Sequence, residues 1–135
     1  PQVASSNNHS CVLRVTLSGI RFLLMGDVEG RAEKQLVSEL RDDLSADALV
    51  AGHDGSKNAS SSALLKYAQP EIVVFSAGYR NRFSHPHASV VSRVSSFTAM
   101  SLNTADAGAL RFSIIDNTLQ VSQFRTLRDA FWLTP

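Results

Sequence analysis

Strands and helices alternate through the middle of this chain, and that order constrains the fold more than any other feature. Short apolar, β-branched runs predict strands at 20–25, 47–51 and 71–77. Apolar residues at helical spacing predict helices between them, at 31–44 and 60–68. Strands that alternate with helices form parallel sheets with right-handed crossovers. The sequence therefore predicts an α/β fold built on parallel strands.

With the remaining elements included, the sequence predicts one mixed sheet with flanking helices. A turn at Ser18 and Gly19 predicts that a strand at 11–17 forms a hairpin with the next strand. A second hairpin is predicted around Asp116 and Asn117, which tolerate the positive φ of a tight turn. The other predicted elements are a flexible lead-in at 1–10, a helix at 88–96, a strand at 97–102, hairpin strands at 109–115 and 118–124, and a helix at 125–133.

The predicted helix at 31–44 is amphipathic. Its apolar face carries Leu36, Val37 and Leu40, and Glu33 is among the charged residues assigned to the opposite, solvent-facing side.

Composition excludes several classes of protein. The chain has 135 residues, about one domain, and its formal net charge is +1. That charge excludes strong, composition-driven binding to nucleic acid or acidic membranes but allows a local basic patch. The single cysteine, Cys11, excludes an internal disulfide and a multi-thiolate metal site. No apolar run is long enough for a transmembrane helix, and no signal peptide or initiator Met is visible, so we expect an excised part of a longer protein.

Polar residues gather in the three loops that follow the predicted parallel strands. Because the carboxyl ends of parallel strands share one edge of a sheet, these loops are expected to adjoin, and open α/β sheets bind ligands there. Carboxylates and imidazoles suit hard or borderline metals, and basic side chains suit phosphate. The residues placed on this edge are Asp27, Glu29, His53, Asp54, Ser56, Lys57, Arg80, Arg82, His85 and His87.

Each of these features also has a structural interpretation. Asp27 is equally suited to capping the helix that follows, and Asp54 with Gly55 to a polar turn. Residues 60–62 either cap a helix or help Lys57 to hold a phosphate. Pro86 between His85 and His87 sets the start of a helix and turns the two imidazoles apart, and Arg80 and Arg82 are either solvated or phosphate-binding.

Three motifs in order resemble a known family. The first is Asn8, Ser10 and the strand at 13–17 followed by 21–29, which ends in Gly26-Asp27-Val28-Glu29. The other two are Gly52-His53-Asp54-Gly55-Ser56-Lys57 and Asn81-Arg82-Phe83-Ser84-His85-Pro86-His87. Together they are similar to the C-terminal domain of ComEC, the DNA-internalisation competence family, over roughly residues 7–115. The resemblance implies the second half of a metallo-β-lactamase-like αββα sandwich, without the first half that carries the main metal motif.

The resemblance also implies roles for individual residues. Asp27 would bridge two divalent metals, zinc or manganese, and His53 would be the last histidine ligand. Asp54 stands where the family usually has histidine, so it would be a partner of the site or an acid/base. The implied phosphate-binding residues are Ser56, Lys57, Arg80, Arg82, His85 and His87.

The function implied for the whole domain is metal-dependent hydrolysis of incoming DNA during natural transformation. The implied partners are single-stranded DNA and the rest of a parent protein in the bacterial inner membrane, with this segment outside the bilayer on the periplasmic side. The alternative is a non-catalytic module that positions DNA or assembles the uptake channel. The chain alone is expected to be metal-free and inactive. Without the first half of the sandwich, one apolar face of its sheet is expected to be covered by a second copy, which gives a homodimer, or by the helix at 125–133 folding over it in a monomer.

Overall fold

The main sheet confirms the predicted parallel order. The computed structural model describes residues 6–125 of the chain. The strands follow sequence order, with β1 antiparallel to β2 and all later neighbours parallel. They are β1 (Leu13–Leu17), β2 (Ile20–Leu24), β3 (Ala48–Val50), β4 (Ile72–Phe75) and β5 (Met100–Asn103). The protein is thus a mixed α/β fold whose five-stranded sheet is flanked by helices.

Helix bounds differ from the predicted ones where the backbone turns. The helices are α1 (Gly30–Leu40), α2 (Ser62–Ala68), α3 (Ala88–Ser96) and a short α4 (Thr104–Ala107) that the sequence did not predict. The predicted helix at 31–44 ends at Leu40, because Arg41 has a φ of 42° and a separate 3-10 turn, Arg41–Leu44, follows. Similarly, Thr98 at φ 61° delays the predicted strand at 97–102 until Met100.

The predictions for the two ends of the chain have different outcomes. The expected loop at 1–10 contains a 3-10 turn, Ser6–His9, whose Asn7 and Asn8 contact the candidate site described below. The predicted helix at 125–133 lies outside the described residues. Over residues 6–125, every helix is too short or too polar to cross a membrane.

The core lies between the helices and one face of the sheet. Side chains alternate along a strand, so the register that aligns Leu23, Leu49 and Val73 places them on one face. All three are buried there with Leu64 and Leu65 of α2, and with residues of α3. This packing fixes the helix layer and, with it, the loops at the carboxyl ends of the strands.

The opposite face of the sheet is also apolar. We call it the apolar sheet face. A second hairpin, β6 (Leu110–Ile115) with β7 (Thr118–Gln123), confirms the predicted turn but forms a separate two-stranded sheet instead of extending the main one. It reaches this face, where Phe112 lies edge-on to Phe22 at 5.7 Å between ring centroids. The residues of β1 to β5 that form the apolar sheet face, according to the strand register, are Leu13, Val15, Leu17, Ile20, Phe22, Leu24, Ala48, Val50, Ile72, Val74, Met100 and Leu102.

We expect self-association through the part of this face that lies on β1. Leu13, Val15 and Leu17 are 54, 40 and 60 % exposed, and a second copy is the simplest cover for such a patch. Sedimentation equilibrium should show a concentration-dependent dimer that Leu13→Lys with Leu17→Lys abolishes. Thr16→Lys, on the other face of the same strand, is the control and should leave the dimer intact. A wild-type chain that stays monomeric at high concentration would contradict this expectation.

Candidate functional site

The loops after β2, β3 and β4 adjoin as the sequence predicts. The backbone N–H of His53 donates to the carbonyl of Gly26 at 2.8 Å, and the N–H of His87 donates to the carbonyl of Gly55 at 2.9 Å. The first bond joins the β2 loop to the β3 loop, and the second joins the β3 loop to the β4 loop. We call the surface formed by loops 26–29, 51–61 and 76–87 the strand-end edge.

Two glycines allow these loops to pack this closely. A Cβ at Gly52 would lie 2.5 Å from the carbonyl oxygen of Val28, in the neighbouring loop. A Cβ at Gly55, where φ is +87°, would lie 2.7 Å from both Phe75 and Pro86. The glycines on either side of His53 and Asp54 therefore set the distance between the loops of the edge.

His53 is held in one orientation by a carboxylate. Its Nδ1 lies 3.0 Å from Oε1 of Glu29, and the hydroxyl of Ser56 donates to the same oxygen at 3.1 Å. The Nδ2 of Asn7 is also 3.3 Å from that ring nitrogen. A carboxylate at Nδ1 favours the tautomer that is protonated there, which leaves Nε2 with its lone pair. The imidazole is therefore oriented for ligation or proton transfer through Nε2.

The supporting residues of His53 were only partly visible in the sequence. Glu29 lies on the predicted edge, two positions after Asp27, but the sequence did not predict that its carboxylate pairs with His53. Asn8 supports this loop by accepting from the N–H of Glu29 at 3.0 Å. Asn8 belongs to the first motif of the family resemblance, but nothing in the polar lead-in distinguishes Asn7 from its neighbours.

Asp27 and Asp54 are exposed on the edge. Asp27 does not cap α1, whose N-cap position is Glu29, so the capping interpretation is wrong. Asp54 has φ 53° and ψ 20°, a left-handed conformation that aspartate tolerates in a turn. Both carboxylates therefore face solvent at the edge, where the sequence placed them.

These residues do not make a metal centre by themselves. A zinc site takes at least three protein ligands. Between residues 6 and 125, no group of three His, Cys, Asp or Glu side chains is arranged to hold an ion. The carboxylate-held imidazole of His53 has the chemistry of a metal ligand, and Asp27 is the other donor that the resemblance implies. Any complete centre needs ligands from outside the described residues.

The two histidines beside Pro86 have separate surroundings. The ring of His85 lies edge-on to the ring of His53, with centroids 5.6 Å apart. His87 instead caps α3, because its Nδ1 accepts from the N–H of Ser89 at 3.2 Å. Only His85 therefore joins the His53 cluster, and the interpretation that the two imidazoles turn apart is correct.

The N-terminus of α2 is filled by a carboxylate. Glu33 accepts from the N–H groups of Ser60 and Ser61 at 2.6 and 2.8 Å, and Ser61 caps the helix by accepting from Leu64 at 3.3 Å. The carboxylate of Glu33 therefore occupies the position that the alternative interpretation gave to a phosphate at 60–62. Glu33 is fully buried, so its assignment to the solvent-facing side of the first helix is wrong.

The exposed basic side chains of the edge lie on its second and third loops. Lys57 follows the His53 turn, and Arg80 and Arg82 extend from the β4 loop. The guanidinium of Arg80 lies 5.3 Å from the ring of Tyr79, and that of Arg82 lies 4.7 Å from the ring of Phe83. Ser56 is nearly buried, and its hydroxyl is committed to Glu29.

Comparison with known proteins relates this chain to competence proteins. No protein-family model matches it. The chain is 35 % identical over 90 % of its length to Competence protein ComA of Neisseria gonorrhoeae, and 34 % identical over 90 % to Recombination protein 2 of Haemophilus influenzae. It is 32 % identical over 83 % of its length to ComE operon protein 3 of Bacillus subtilis. It spans only 18, 15 and 14 % of those three proteins. The chain is therefore a homologue, over most of its length, of one segment of these proteins.

Proposed function

We propose that this chain is a DNA-handling segment of a competence protein, and that its strand-end edge binds the phosphate backbone of single-stranded DNA during uptake. The names of its relatives support the role in competence. The observation that carries the binding proposal is the position of Lys57, Arg80 and Arg82. All three are exposed on the neighbouring β3 and β4 loops, the first of which also carries His53.

The distribution of charge favours one path for the nucleic acid. The net charge of +1 gives little overall field, so binding must depend on local cations. The carboxylates of Asp27 and Glu29 belong to the β2 loop, and that of Asp54 shares the β3 loop with Lys57, whereas the β4 loop carries Arg80 and Arg82 and no acidic residue. Neighbouring strands lie about 4.8 Å apart, so a strand of DNA that follows the β4 end meets cations first, with Lys57 on the next loop. The carboxylates and His53 then lie at its side.

The proposal extends to hydrolysis in the whole protein. There, Asp27 and His53 are this chain's contribution to a centre of two divalent ions, zinc or manganese, whose other ligands lie outside the chain. Bound metal would supply an activated water for phosphodiester cleavage. Glu29 holds the imidazole of His53, while Lys57 and Arg82 offset phosphate charge. We place this segment on the periplasmic side of the inner membrane, where it meets incoming DNA.

A second candidate is a module that positions DNA without cleaving it. It is supported by Asp54, an aspartate where the resembled family usually has histidine. Full-length protein with His53→Ala separates the two candidates. If the protein is a nuclease, the variant retains DNA binding but loses strand degradation, whereas a positioning module shows no degradation to lose.

DNA binding by the chain is tested by fluorescence anisotropy with a labelled oligothymidine. Lys57→Ala with Arg82→Ala should weaken binding about 10-fold and lower the log–log salt slope by about 1.4, because two DNA phosphates would no longer be neutralised by the protein. The control, Lys34→Ala with Lys66→Ala, removes two exposed lysines from α1 and α2, away from the edge. Equal weakening in both double variants would reject the edge as the binding surface.

The chain alone should neither hold zinc tightly nor cleave DNA, because it supplies at most two of the expected ligands. Metal analysis after dialysis should give well under one zinc per chain, and single-stranded DNA should survive incubation with manganese. Stoichiometric zinc that is lost on His53→Ala would contradict this expectation. So would cleavage that Asp27→Asn abolishes.

A further inference from the structure

We infer that Tyr79 and Phe83 form a base-stacking platform that makes the strand-end edge selective for single-stranded over duplex DNA. This inference rests on the proposed function, because it adds base recognition to a phosphate-binding edge. Its main observation is separate, since it concerns two exposed aromatic side chains; Arg80 and Arg82 are shared with the charge argument.

The two rings are unusually exposed for their size. Tyr79 is 66 % exposed and Phe83 is 63 % exposed, more than any other large hydrophobic side chain between residues 6 and 125. Both lie on the β4 loop, at the edge that carries His53. Large apolar groups left in water on a short segment mark a surface that another molecule covers.

The loop that carries the rings is braced. The side-chain amide of Asn81 donates to the carbonyls of Gly78 and His85 at 3.0 and 2.7 Å, and its oxygen accepts from the N–H of His85 at 2.8 Å. The Asn81 side chain therefore bonds to backbone groups near both ends of the loop. The rings are therefore presented on an ordered backbone, which reduces the entropy lost when a ligand binds.

Cations accompany both rings. The guanidinium carbons of Arg80 and Arg125 lie over the ring of Tyr79, 5.3 and 5.7 Å from its centroid, and that of Arg82 lies over the ring of Phe83, 4.7 Å from its centroid. The high exposure of the rings shows that the guanidinium groups leave much of their surface open. A ring that has an arginine beside it can bind one nucleotide, because the base stacks on the open face of the ring while the phosphate pairs with the guanidinium group.

A line of rings joins this platform to the candidate site. Phe83 and His85 have centroids 5.7 Å apart with planes tilted by 30°, and His85 in turn contacts His53. A base stacked at Phe83 would therefore lie two ring contacts away from His53. In this arrangement the platform sets which nucleotides lie next to the site.

Single-stranded DNA fits this surface better than the other ligands of similar character. Bases in a duplex are already stacked on both faces, so only an unpaired strand offers free faces to the rings. The segment 78–87 contains two arginines, two histidines and no acidic residue, which suits a polyanion. A peptide ligand or an anionic vesicle is a competing outcome that the experiment distinguishes.

The test compares three probes of equal length: an oligothymidine, the same backbone without bases, and a duplex. Tyr79→Ala with Phe83→Ala should weaken oligothymidine binding about 10- to 100-fold, the decrease expected for one or two stacked bases. Binding of the abasic strand and the duplex should change less than about twofold, and the salt slope should stay unchanged. Tyr79→Phe with Phe83→Tyr should restore oligothymidine binding.

The outcomes separate this inference from the proposed function. Wild-type protein that binds the abasic strand as tightly as oligothymidine overturns the platform but keeps the phosphate-binding edge. Failure to bind any of the three probes overturns both. Ile115→Ala removes an exposed apolar side chain of β6, outside the loops of the edge and outside the self-association patch on β1, and should leave all three affinities unchanged. Preferential binding of an anionic vesicle or a peptide by Tyr79 and Phe83 overturns the assignment to DNA.

Discussion

Replacing Glu33 with alanine should lower the free energy of unfolding by about 3 kcal/mol. The side chain is fully buried, and its two oxygens accept from the N–H groups of Ser60 and Ser61. Hydrogen bonds to a charged acceptor contribute about 1.5–3 kcal/mol each, and a buried donor left without a partner costs about 1–3 kcal/mol. Alanine would remove both acceptors and leave a cavity beside the start of α2.

Urea denaturation monitored by circular dichroism measures this effect. Glu33→Gln keeps the shape and one acceptor oxygen, so its destabilisation should be about half as large. Glu39→Ala, on the exposed side of the same helix, is the control and should change stability by less than about 0.5 kcal/mol. A Glu33→Ala chain as stable as wild type would show that Glu33 does not join α1 to α2.

Replacing Gly52 with alanine should destabilise the fold by about 3 kcal/mol and disturb the strand-end edge. The new Cβ would lie 2.5 Å from the backbone oxygen of Val28, which cannot yield as a flexible side chain would. Overpacking of this kind typically costs about 1–3 kcal/mol. The N–H of His53 donates across the same junction to Gly26, so the shift would also weaken that bond.

Thermal and urea denaturation of Gly52→Ala test the first part. Anisotropy with oligothymidine, at a temperature where the variant is folded, tests the second. The control is Gly78→Ala, since a Cβ at Gly78 would meet nothing nearer than 4.0 Å. Wild-type stability in Gly52→Ala would mean that the β2 and β3 loops lie farther apart than the structure has them.

The sheet was predictable because its signals are local. Apolar runs such as 71–77 identify buried strands, and the helices between them determine that the strands are parallel. Parallel order then places Asp27, His53 and Arg82 at one edge before any contact is known. This part of the site follows from chain topology alone, and the structure confirms the edge that the three loops share.

The contacts that hold the site were not predictable, because they depend on residues distant in sequence. Glu33 has the charge and spacing of a solvent-facing helical residue, and only the approach of Ser60 and Ser61 makes its burial favourable. Asn7 and His53 are likewise separated by 46 positions. Helix ends were misplaced for a similar reason, since the positive φ of Arg41 is a backbone feature with no signal in its residue type.

The most direct test of the account is to locate bound DNA on the protein. Photo-cross-linking of wild-type chain to an oligonucleotide that contains bromodeoxyuridine, followed by mass spectrometry, identifies the peptides in contact with bases. We expect cross-links in the segment 78–87, with Tyr79 and Phe83 the principal positions, and weaker ones in 52–61. Cross-links confined to the β6–β7 hairpin or to β1 would contradict the assignment of DNA binding to the strand-end edge.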